Sequence, residues 1–584
     1  MTGVDDLKKI REENGYYVDK SALIGELLRK KKEVYLFTRP RRFGKSLNLS
    51  MLDAYFNERY AGNPWFDDLR ISRLRPDDPK KNSCIVVMLS MKDLKTDCYE
   101  DYLWKLGRRV GDLYSSFPEL KRSEKINDRQ RKSYHDISMA SANEATLQFA
   151  LQDLTGMLEA EHGKKVILLI DEYDNAINEA GSEELRKKIL DFMSVFLSTA
   201  LKSNPSLDFA VVTGVMQIAK ASIFSGLNNL YVNSVFDEGF DEYWGFTEGE
   251  VRRLCADFGN ESKFEEAKEW YDGYRFGATD VYNPWSVLSY ADSGFKAEPY
   301  WSNTATNSFL DKLFRKSDMD SMKHIMDLEG DGIRERLRTS ISYEEADVFD
   351  DSLYTVMAMT GYLKAVPEGN ALFRLSIPNS EIRIMMAARM ESLVRFDSGS
   401  YQDFCNAVLE GRIDDIETIL GRILRQGSYW NLRDETSYEL VIMAILYGIA
   451  GSYDVHTESE TGNGRVDIIM KPKHSGIVPI IFELKKIRRG EGSGEGCLNG
   501  LGTDPREEIL SRNGWARPAL RDIILGQNPV HSSRKTGAAM TTRAPGHHAR
   551  RSGIRASWET VGPGLSLDPG CYAEIVWKAF ECGV

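Results

Sequence analysis

Near the start of the chain, Gly44, Lys45 and Ser46 follow one another in an order that suits phosphate binding. A glycine lets a turn direct backbone N–H groups at one point, a lysine can reach the β- and γ-phosphates of a nucleotide, and a serine hydroxyl can hold Mg²⁺. The pattern G-x-x-x-x-G-K-[ST] is met except at its first glycine, where Arg39 stands. These residues predict a loop that binds ATP with Mg²⁺, although a basic surface turn would explain the triplet alone equally well.

The segments on either side of this turn predict a strand, a turn and a helix. The apolar run 34–38 ends at the turn, and a helical pattern starts near Lys45. The turn then opens onto the positive end of the helix dipole, which favours phosphate. Arg41 and Arg42 form a basic patch with Arg39, and we interpret this patch as binding the phosphates of the nucleotide rather than DNA.

A second motif lies downstream, where the apolar run 166–170 ends in Asp171 and Glu172. A run that is apolar on both faces predicts a central parallel strand, and ligands of such sheets bind beyond the carboxyl ends of the strands. Asp171 is therefore expected at the Mg²⁺, and Glu172 is expected to polarise the attacking water. An ordinary buried strand with polar residues at its end is the alternative, and the order of the two motifs disfavours it.

With these motifs, several further segments resemble the AAA-ATPase-like proteins of bacteria and archaea that carry a C-terminal PD-(D/E)XK nuclease-like domain. The segments are residues 17–21, 213–215, 222–230, 245–247 and 270–276. The resemblance covers about residues 10–486, and an arginine in place of the first glycine fits that family's own variant. The resemblance implies an ATPase core and does not indicate a substrate.

Two residues are candidate sensors of the γ-phosphate, and the resemblance implies the first of them. Thr213 ends the predicted buried strand 209–215, where P-loop ATPases have a polar sensor. Arg275 could reach back to the triphosphate as a second sensor, and packing on Trp270 or Tyr271 would explain this arginine equally well.

Other patterns in the first part of the chain predict elements around these motifs. Buried strands are expected at 84–91 and 209–215, and an amphipathic helix at 183–202. Ser21 is expected to cap a helix, and Thr247 with Glu250 predicts a capping box. The polar stretch 121–138 is interpreted as a surface loop, and residues 300–450 as mostly helical.

A second candidate site lies between residues 435 and 485. Asp467 on one strand of a hairpin and Glu483-x-Lys485 on the next would place three side chains on one sheet edge, since residues i and i+2 share a face. Asp467 and Glu483 could share a divalent metal such as Mg²⁺, and Lys485 could position or deprotonate water. Such a pattern is weak alone, and the resemblance to PD-(D/E)XK nucleases supports it. Either Glu435 or Glu439 would complete the metal site.

The character of the chain changes after Lys486. Residues 488–584 contain 13 Lys and Arg against 10 Asp and Glu, and they are rich in glycine. Apolar periodicity is lost across 529–569 although the nuclease-like fold still needs a helix and a strand. We interpret the segment either as a disordered basic tail or, preferably, as residues translated out of frame.

Length and composition bound the remaining possibilities. The chain has 584 residues, 42% of them hydrophobic, and a net charge of −12, which predicts several globular domains. We find no apolar run of ~18 residues and no signal-peptide core, so we expect a cytoplasmic protein without a membrane partner. The cysteines show no C-x-x-C spacing, which argues against zinc sites and a disulfide framework. The negative charge opposes non-specific adhesion to DNA, so a DNA contact would need a local basic patch. The oligomeric state stays open, with a homo-oligomer included.

The predicted fold class is α/β, built on a P-loop NTPase parallel sheet with a helical lid. The expected domains are an ATPase core (1–240), a helical lid (241–345), a helical connector (346–430), an incomplete restriction-endonuclease-like α/β module (431–487) and the tail (488–584). The predicted function is ATP binding and hydrolysis coupled to a nuclease-like, DNA-directed module. A nucleotide-dependent binding switch without nuclease activity is the alternative.

Overall fold

The computed structural model divides the chain into two compact units. The first comprises Met1–Ser317 and Ile333–Met385, and the second comprises Asp318–Gly332 and Met386–Val584. The structure describes residues 2–216, 227–301, 328, 332–338, 349–386, 398–410, 412, 415–416, 418–419, 453–460, 465–472, 480–483, 486–487, 522–524, 573–578 and 580–581. None of the helices in these ranges is long and apolar enough to cross a membrane.

The first unit alternates helices with short strands. Its helices are α1 (Leu7–Glu12), α2 (Ala22–Lys30), α3 (Lys45–Phe56), α4 (Arg70–Leu74), α5 (Tyr99–Ser115), α6 (Asp128–Ser138), α7 (Glu144–Leu147), α8 (Ala150–His162), α9 (Asn175–Asn178), α10 (Glu183–Leu201), α11 (Glu248–Asp257), α12 (Phe264–Tyr271), α13 (Pro284–Asp292) and α14 (Phe349–Thr360). Its strands are β1 (Val34–Thr38), β2 (Ile85–Ser90), β3 (Val166–Asp171), β4 (Leu207–Gly214), β5 (Leu230–Asn233), β6 (Tyr274–Phe276), β7 (Thr279–Val281), β8 (Ile333–Arg336), β9 (Lys364–Gly369) and β10 (Leu372–Ser376).

A five-stranded sheet forms the centre of this unit, in the order β2-β3-β4-β1-β5. Every neighbouring pair is parallel. Strands β1 and β3 are buried at all positions, as expected for strands covered on both faces. Helices α5, α8 and α10 contribute apolar side chains to one core with the sheet. This is the α/β fold with a P-loop-type parallel sheet that the sequence predicts.

The register of the sheet brings the ends of four strands to one edge. Thr38 of β1 pairs with Gly214 of β4, and Ser90 of β2 pairs with Asp171 of β3. Because β4 lies between β1 and β3, residues 39–46 after β1, called the phosphate loop below, and the carboxylates of Asp171 and Glu172 at the end of β3 meet at the carboxyl edge of the sheet. Parallel strands offer a ligand site at this edge.

One prediction about local structure is wrong. The polar stretch 121–138 contains helix α6, which a capping box of Asn127 and Gln130 starts and whose buried residues are Tyr134 and Ile137. Within the described part of residues 300–450, α14 is helical and β8, β10 and β9 form an antiparallel sheet, so the mostly helical character of this stretch stays a prediction.

The two predicted helix caps differ in outcome. Thr247 and Glu250 form the expected capping box at the start of α11. Ser21 precedes α2, but its side chain makes no cap hydrogen bond; its Oγ accepts from the backbone N–H of Ile71 at 3.0 Å. The serine therefore ties α2 to α4.

In the second unit, the structure describes helix α15 (Ser398–Leu409) and seven strands: β11 (Tyr453–Glu460), β12 (Arg465–Pro472), β13 (Ile480–Glu483), β14 (Lys486–Ile487), β15 (Asp522–Ile524), β16 (Ala573–Lys578) and β17 (Phe580–Glu581). Five of them form a sheet in the order β11-β12-β13-β16-β15, and β14 pairs with β17. Strands β15, β16 and β17 belong to residues 488–584. The domain boundaries and the disordered or out-of-frame nature of that segment stay predictions.

Candidate functional site

The loop between β1 and α3 is shaped by two residues in the left-handed region. Arg42 has φ +70° and Gly44, which precedes α3, has φ +75°. A Cβ on Gly44 would meet no atom within 4 Å, so the glycine is needed for its backbone conformation and not for space. The loop thereby turns sharply and delivers Lys45 and Ser46 to the first turn of α3.

Lys45 is held inside this loop. Its side chain is buried, and Nζ donates to the carbonyl oxygens of Arg39 at 3.0 Å and Pro40 at 2.8 Å. Burial lowers the pKa of the ammonium, and the carboxylates of Glu172 and Asp171 oppose that shift. The amine is thus positioned at the centre of the loop and close to the acidic strand end.

Asp171 connects three elements of the site. Its Oδ2 accepts from the hydroxyl of Ser46 at 2.6 Å, and its Oδ1 accepts from the hydroxyl of Thr213 at 2.6 Å. Asp171 and Thr213 are both buried. The structure therefore brings together the phosphate loop, the acidic strand end and the predicted sensor, which the sequence places far apart.

Glu172 adopts a left-handed conformation with φ +53°. Its backbone carbonyl accepts from the N–H of Asn175 at 3.0 Å, and its Oε2 accepts from Asn175 Nδ2 at 3.4 Å. Burial raises the pKa of the carboxyl, and Lys45 opposes this rise. A carboxylate with a raised pKa is a stronger base, which suits the activation of water.

The oxygen atoms at this edge fit Mg²⁺. Within the described ranges, no three His, Cys, Asp or Glu side chains form a cluster that could hold a metal ion. Mg²⁺ needs no such cluster here, because it keeps several waters and is commonly held by one carboxylate together with phosphates of the substrate. The hydroxyl of Ser46 and the carboxylate of Asp171, 2.6 Å apart, are hard oxygen donors of the kind that it prefers.

Arg39 does not belong to a basic surface patch, and our interpretation of it as one is wrong. Its side chain is fully buried, and its guanidinium donates to the backbone oxygen of Asn233 at 2.8 Å and to Asn233 Oδ1 at 2.5 Å. It also lies over the rings of Trp244 and Phe276, at 5.7 and 5.1 Å from their centroids. Burial lowers its pKa to about 9. Arg39 therefore fastens the start of the loop to β5.

The other two arginines of the loop make contacts outside the phosphate cradle. Arg41 pairs with Glu179 at 2.9 Å. Arg42 lies over the ring of Trp285, 4.2 Å from its centroid, and burial lowers its pKa. Their predicted contact with phosphate would require these side chains to change partners.

Arg275 lies on the β6-β7 hairpin and engages Asp280 of the opposite strand at 3.2 Å. Its neighbours in sequence, Tyr274 and Phe276, pack on Phe43 of the phosphate loop, with ring centroids 5.0 and 5.1 Å apart. The structure thus brings this hairpin to the loop but directs the arginine to Asp280. It contacts neither of the two aromatic residues that we considered, and its role as a second sensor stays a prediction.

The second candidate site is described only through its strands. β12 and β13 are antiparallel, with Ile468 opposite Phe482. Continuing this register by one residue places Asp467 opposite Glu483. Lys485 lies outside the described residues, as do Glu435 and Glu439.

Two family models match parts of the chain. Residues 1–224, which include the phosphate loop and the acidic strand, match the family described as Predicted AAA-ATPase. The chain carries an AAA-ATPase-like domain. Residues 433–513 match the PD-(D/E)XK nuclease superfamily, so a nuclease-superfamily domain accompanies the AAA-ATPase-like domain. An "Uncharacterized protein in vnfD 5'region" of Azotobacter chroococcum mcd 1 is 26% identical over 501 residues, which cover 80% of this chain and 86% of the relative.

Sequence reasoning assigned no role to Asp174, which lies two residues after Glu172 in the AAA-ATPase-like domain. It is buried, and its Oδ2 accepts from the backbone N–H groups of Val215 and Met216, both at 2.9 Å. The signal available in the sequence was a third acidic residue close to the catalytic candidates Asp171 and Glu172.

Proposed function

We propose that the AAA-ATPase-like domain binds ATP and hydrolyses it. The observation that carries this proposal is the hydrogen-bonded series Ser46, Asp171 and Thr213, which lies beside the buried ammonium of Lys45 at the carboxyl edge of a parallel sheet. The arrangement offers a cation, a metal-binding pair and a polar sensor at the position where such sheets bind nucleotides.

Lys45 is the residue that recognises the triphosphate. Its ammonium donates to two carbonyl oxygens of its own loop, and the β- and γ-phosphate oxygens are stronger acceptors because they are charged. When the ammonium donates to the phosphates instead of the two carbonyl oxygens, it exchanges neutral acceptors for charged ones in a buried site. This gives a favourable electrostatic contribution to ATP binding.

Ser46 and Asp171 would hold Mg²⁺, which would neutralise charge on the β- and γ-phosphates. Thr213, bonded to the other oxygen of Asp171, fixes the orientation of that carboxylate. Glu172 follows Asp171 directly and accepts a proton from the attacking water. Burial raises the pKa of Glu172, so the carboxylate is a better base than an exposed glutamate.

The second part of the proposal is that hydrolysis is coupled to a DNA-directed nuclease-like module. Asp467 and Glu483 lie on adjacent antiparallel strands at opposed register positions, which suits two ligands of one divalent metal. Lys485 is assigned to position or deprotonate the attacking water. The match of residues 433–513 to the PD-(D/E)XK nuclease superfamily supports this assignment.

Paired assays on the purified wild-type chain test both parts. ATP hydrolysis and cleavage of duplex and single-stranded DNA are measured with Mg²⁺ and again with EDTA. We expect hydrolysis and cleavage in Mg²⁺ and neither in EDTA. Hydrolysis without cleavage would support the alternative, a nucleotide-dependent binding switch, and absence of hydrolysis in Mg²⁺ would overturn the ATPase assignment.

A further inference from the structure

Glu172 holds an unusual backbone conformation, and the residues on both sides of it are fastened. A non-glycine residue with positive φ is strained and persists only where its surroundings enforce it. On the amino-terminal side, Asp171 is bonded through its side chain to Ser46 and Thr213. This leaves the question of what fastens the carboxyl-terminal side.

Tyr173 and Asp174 fasten that side to the end of β4. The N–H of Tyr173 donates to the carbonyl oxygen of Thr213 at 3.1 Å, and its phenol donates to the carbonyl oxygen of Met216 at 2.8 Å. Asp174 Oδ2 accepts from the N–H groups of Val215 and Met216. The two residues that follow Glu172 thus form hydrogen bonds with the first and the last residues of the segment 213–216.

Asp174 is the acidic member of this connection. Its side chain is 1% exposed, and Oδ2 accepts a third hydrogen bond, from Asn178 Nδ2 at 3.0 Å. A buried carboxylate is retained at low cost only if its oxygens are bonded, and three N–H donors on one oxygen meet that condition. The N–H groups that follow β4 therefore stabilise the buried carboxylate of Asp174. In return, the carboxylate holds these residues in position.

Gly214 makes this close approach possible. A Cβ added there would lie 2.5 Å from Tyr173 Cε1 and 2.8 Å from Asp174 Oδ1. Both distances are below any real Cβ contact, so a larger residue would displace Tyr173 and Asp174. Gly214 is thus required for space.

We propose that Asp174 is a positioning residue that, with Tyr173 and Gly214, sets the backbone of Glu172 so that its carboxylate faces the attacking water. This inference rests on the proposed ATPase function. Asp174 acts through Glu172 and does not contact substrate. The same connection links Glu172 to Thr213, so the position of the base depends on the strand end that carries the sensor of the γ-phosphate.

The test compares Asp174→Ala, Asp174→Asn and Gly214→Ala in the full chain, with steady-state ATP hydrolysis and equilibrium ATP binding as readouts. Displacement of a catalytic group by about 1 Å can cost about 100-fold in rate, so we expect Asp174→Ala and Gly214→Ala to lower kcat about 10- to 100-fold. ATP affinity and KM should change by less than about threefold, since Lys45 and Ser46 are untouched. Asp174→Asn keeps an acceptor oxygen and should restore most of kcat.

Asp78→Ala provides the matched control. Asp78 is another buried aspartate of the same unit, and it accepts from Tyr55 at 3.0 Å and from Arg75 at 2.8 Å, away from the phosphate loop. Its loss should lower thermal stability and leave kcat of the folded protein unchanged. If Asp174→Ala does not fold, Gly214→Ala and Asp174→Asn carry the comparison, because neither leaves an empty space.

Unchanged kcat in Asp174→Ala or in Gly214→Ala would overturn the positioning role. A parallel loss of ATP affinity and kcat, without rescue by Asp174→Asn, would overturn it in favour of a purely structural role. Absence of hydrolysis by the wild-type chain would instead overturn the proposed function itself, so the two failures are distinguishable.

Discussion

Ser46 donates its hydroxyl hydrogen to Asp171 across 2.6 Å, although the two residues are 125 positions apart in the chain. This contact joins the phosphate loop to the acidic strand end, which are the two halves of the proposed ATPase site. Taken alone, the loop could be a basic surface turn, and the acidic motif could be an ordinary buried strand with polar residues at its end. Their contact at one sheet edge is the reason for treating them as one site.

The first prediction concerns Glu172. Glu172→Gln keeps the size of the side chain and removes its ability to accept a proton, so hydrolysis should fall by about 100-fold or more, in the range of general-base contributions. ATP binding should remain, because the residue does not hold the phosphates. Equilibrium binding of ATP and single-turnover hydrolysis measure the two properties separately. A variant with wild-type turnover would exclude Glu172 as the base.

The second prediction concerns the nuclease-like module. Asp467→Ala should abolish Mg²⁺-dependent DNA cleavage and leave ATP hydrolysis intact, because the two sites lie in separate units. Gel assays of cleavage and phosphate-release assays on the same preparation are the measurements. Asp454→Ala, which changes an acidic residue of the neighbouring strand β11, is the control and should still cleave. Cleavage that survives Asp467→Ala would point to another site or to a contaminating nuclease.

The third prediction concerns stability. Arg39→Met removes the guanidinium from Asn233 and leaves a buried carbonyl oxygen and a buried amide oxygen without this donor. We expect the free energy of unfolding to fall by about 2–3 kcal/mol, the cost of unsatisfied buried groups. Arg41→Met should cost less than about 1 kcal/mol, since the Arg41 side chain is 38% exposed and its pair with Glu179 is screened by solvent. Urea denaturation of both variants decides the comparison.

The fourth prediction concerns pH. Glu381 is fully buried, and its carboxyl accepts from the backbone N–H of Trp301 at 2.6 Å and from Ser286 Oγ at 2.8 Å. Burial raises its pKa from 4.5 to about 7. Below pH 4.5 the carboxyl is protonated in both the folded and the unfolded chain, so it does not lower the free energy of unfolding. Between 4.5 and 7 only the unfolded chain releases the proton, so stability falls as pH rises.

The expected loss is roughly 3 kcal/mol in total, at ~1.4 kcal/mol per pKa unit, and it is complete above pH 7. Glu381→Gln keeps the side-chain shape and removes the titration. Denaturation curves at pH 5 and pH 8 should therefore differ less in this variant than in the wild type. Equal pH dependence in the two proteins would show that Glu381 does not titrate in this range.

The central sheet and the candidate ATPase site were predictable because their signals are local. An unbroken apolar run such as 166–170 indicates a strand buried on both faces, and residues that follow parallel strands meet at one edge. Arg39 could not be placed in this way. Its burial depends on Asn233, which is 194 positions away, and on an aromatic environment formed only in the folded chain.

Other elements were missed because their apolar patterns are sparse. Helix α6 buries only Tyr134 and Ile137, and its capping box was the one strong signal. The β9-β10 hairpin turns at Asn370 and Ala371, both with positive φ. The dipeptide Gly369-Asn370 is a turn signal that would have predicted it.

Equilibrium titration of ATP into the wild-type chain and into Lys45→Ala tests the central claim most directly, because Lys45 is the buried cation of the phosphate loop. Lys165→Ala, which changes an exposed lysine next to the amino end of β3, serves as the control. We predict saturable, Mg²⁺-dependent binding by the wild type and by the control, and no measurable binding by Lys45→Ala. Wild-type affinity in Lys45→Ala would contradict the assignment of this loop as the ATP site.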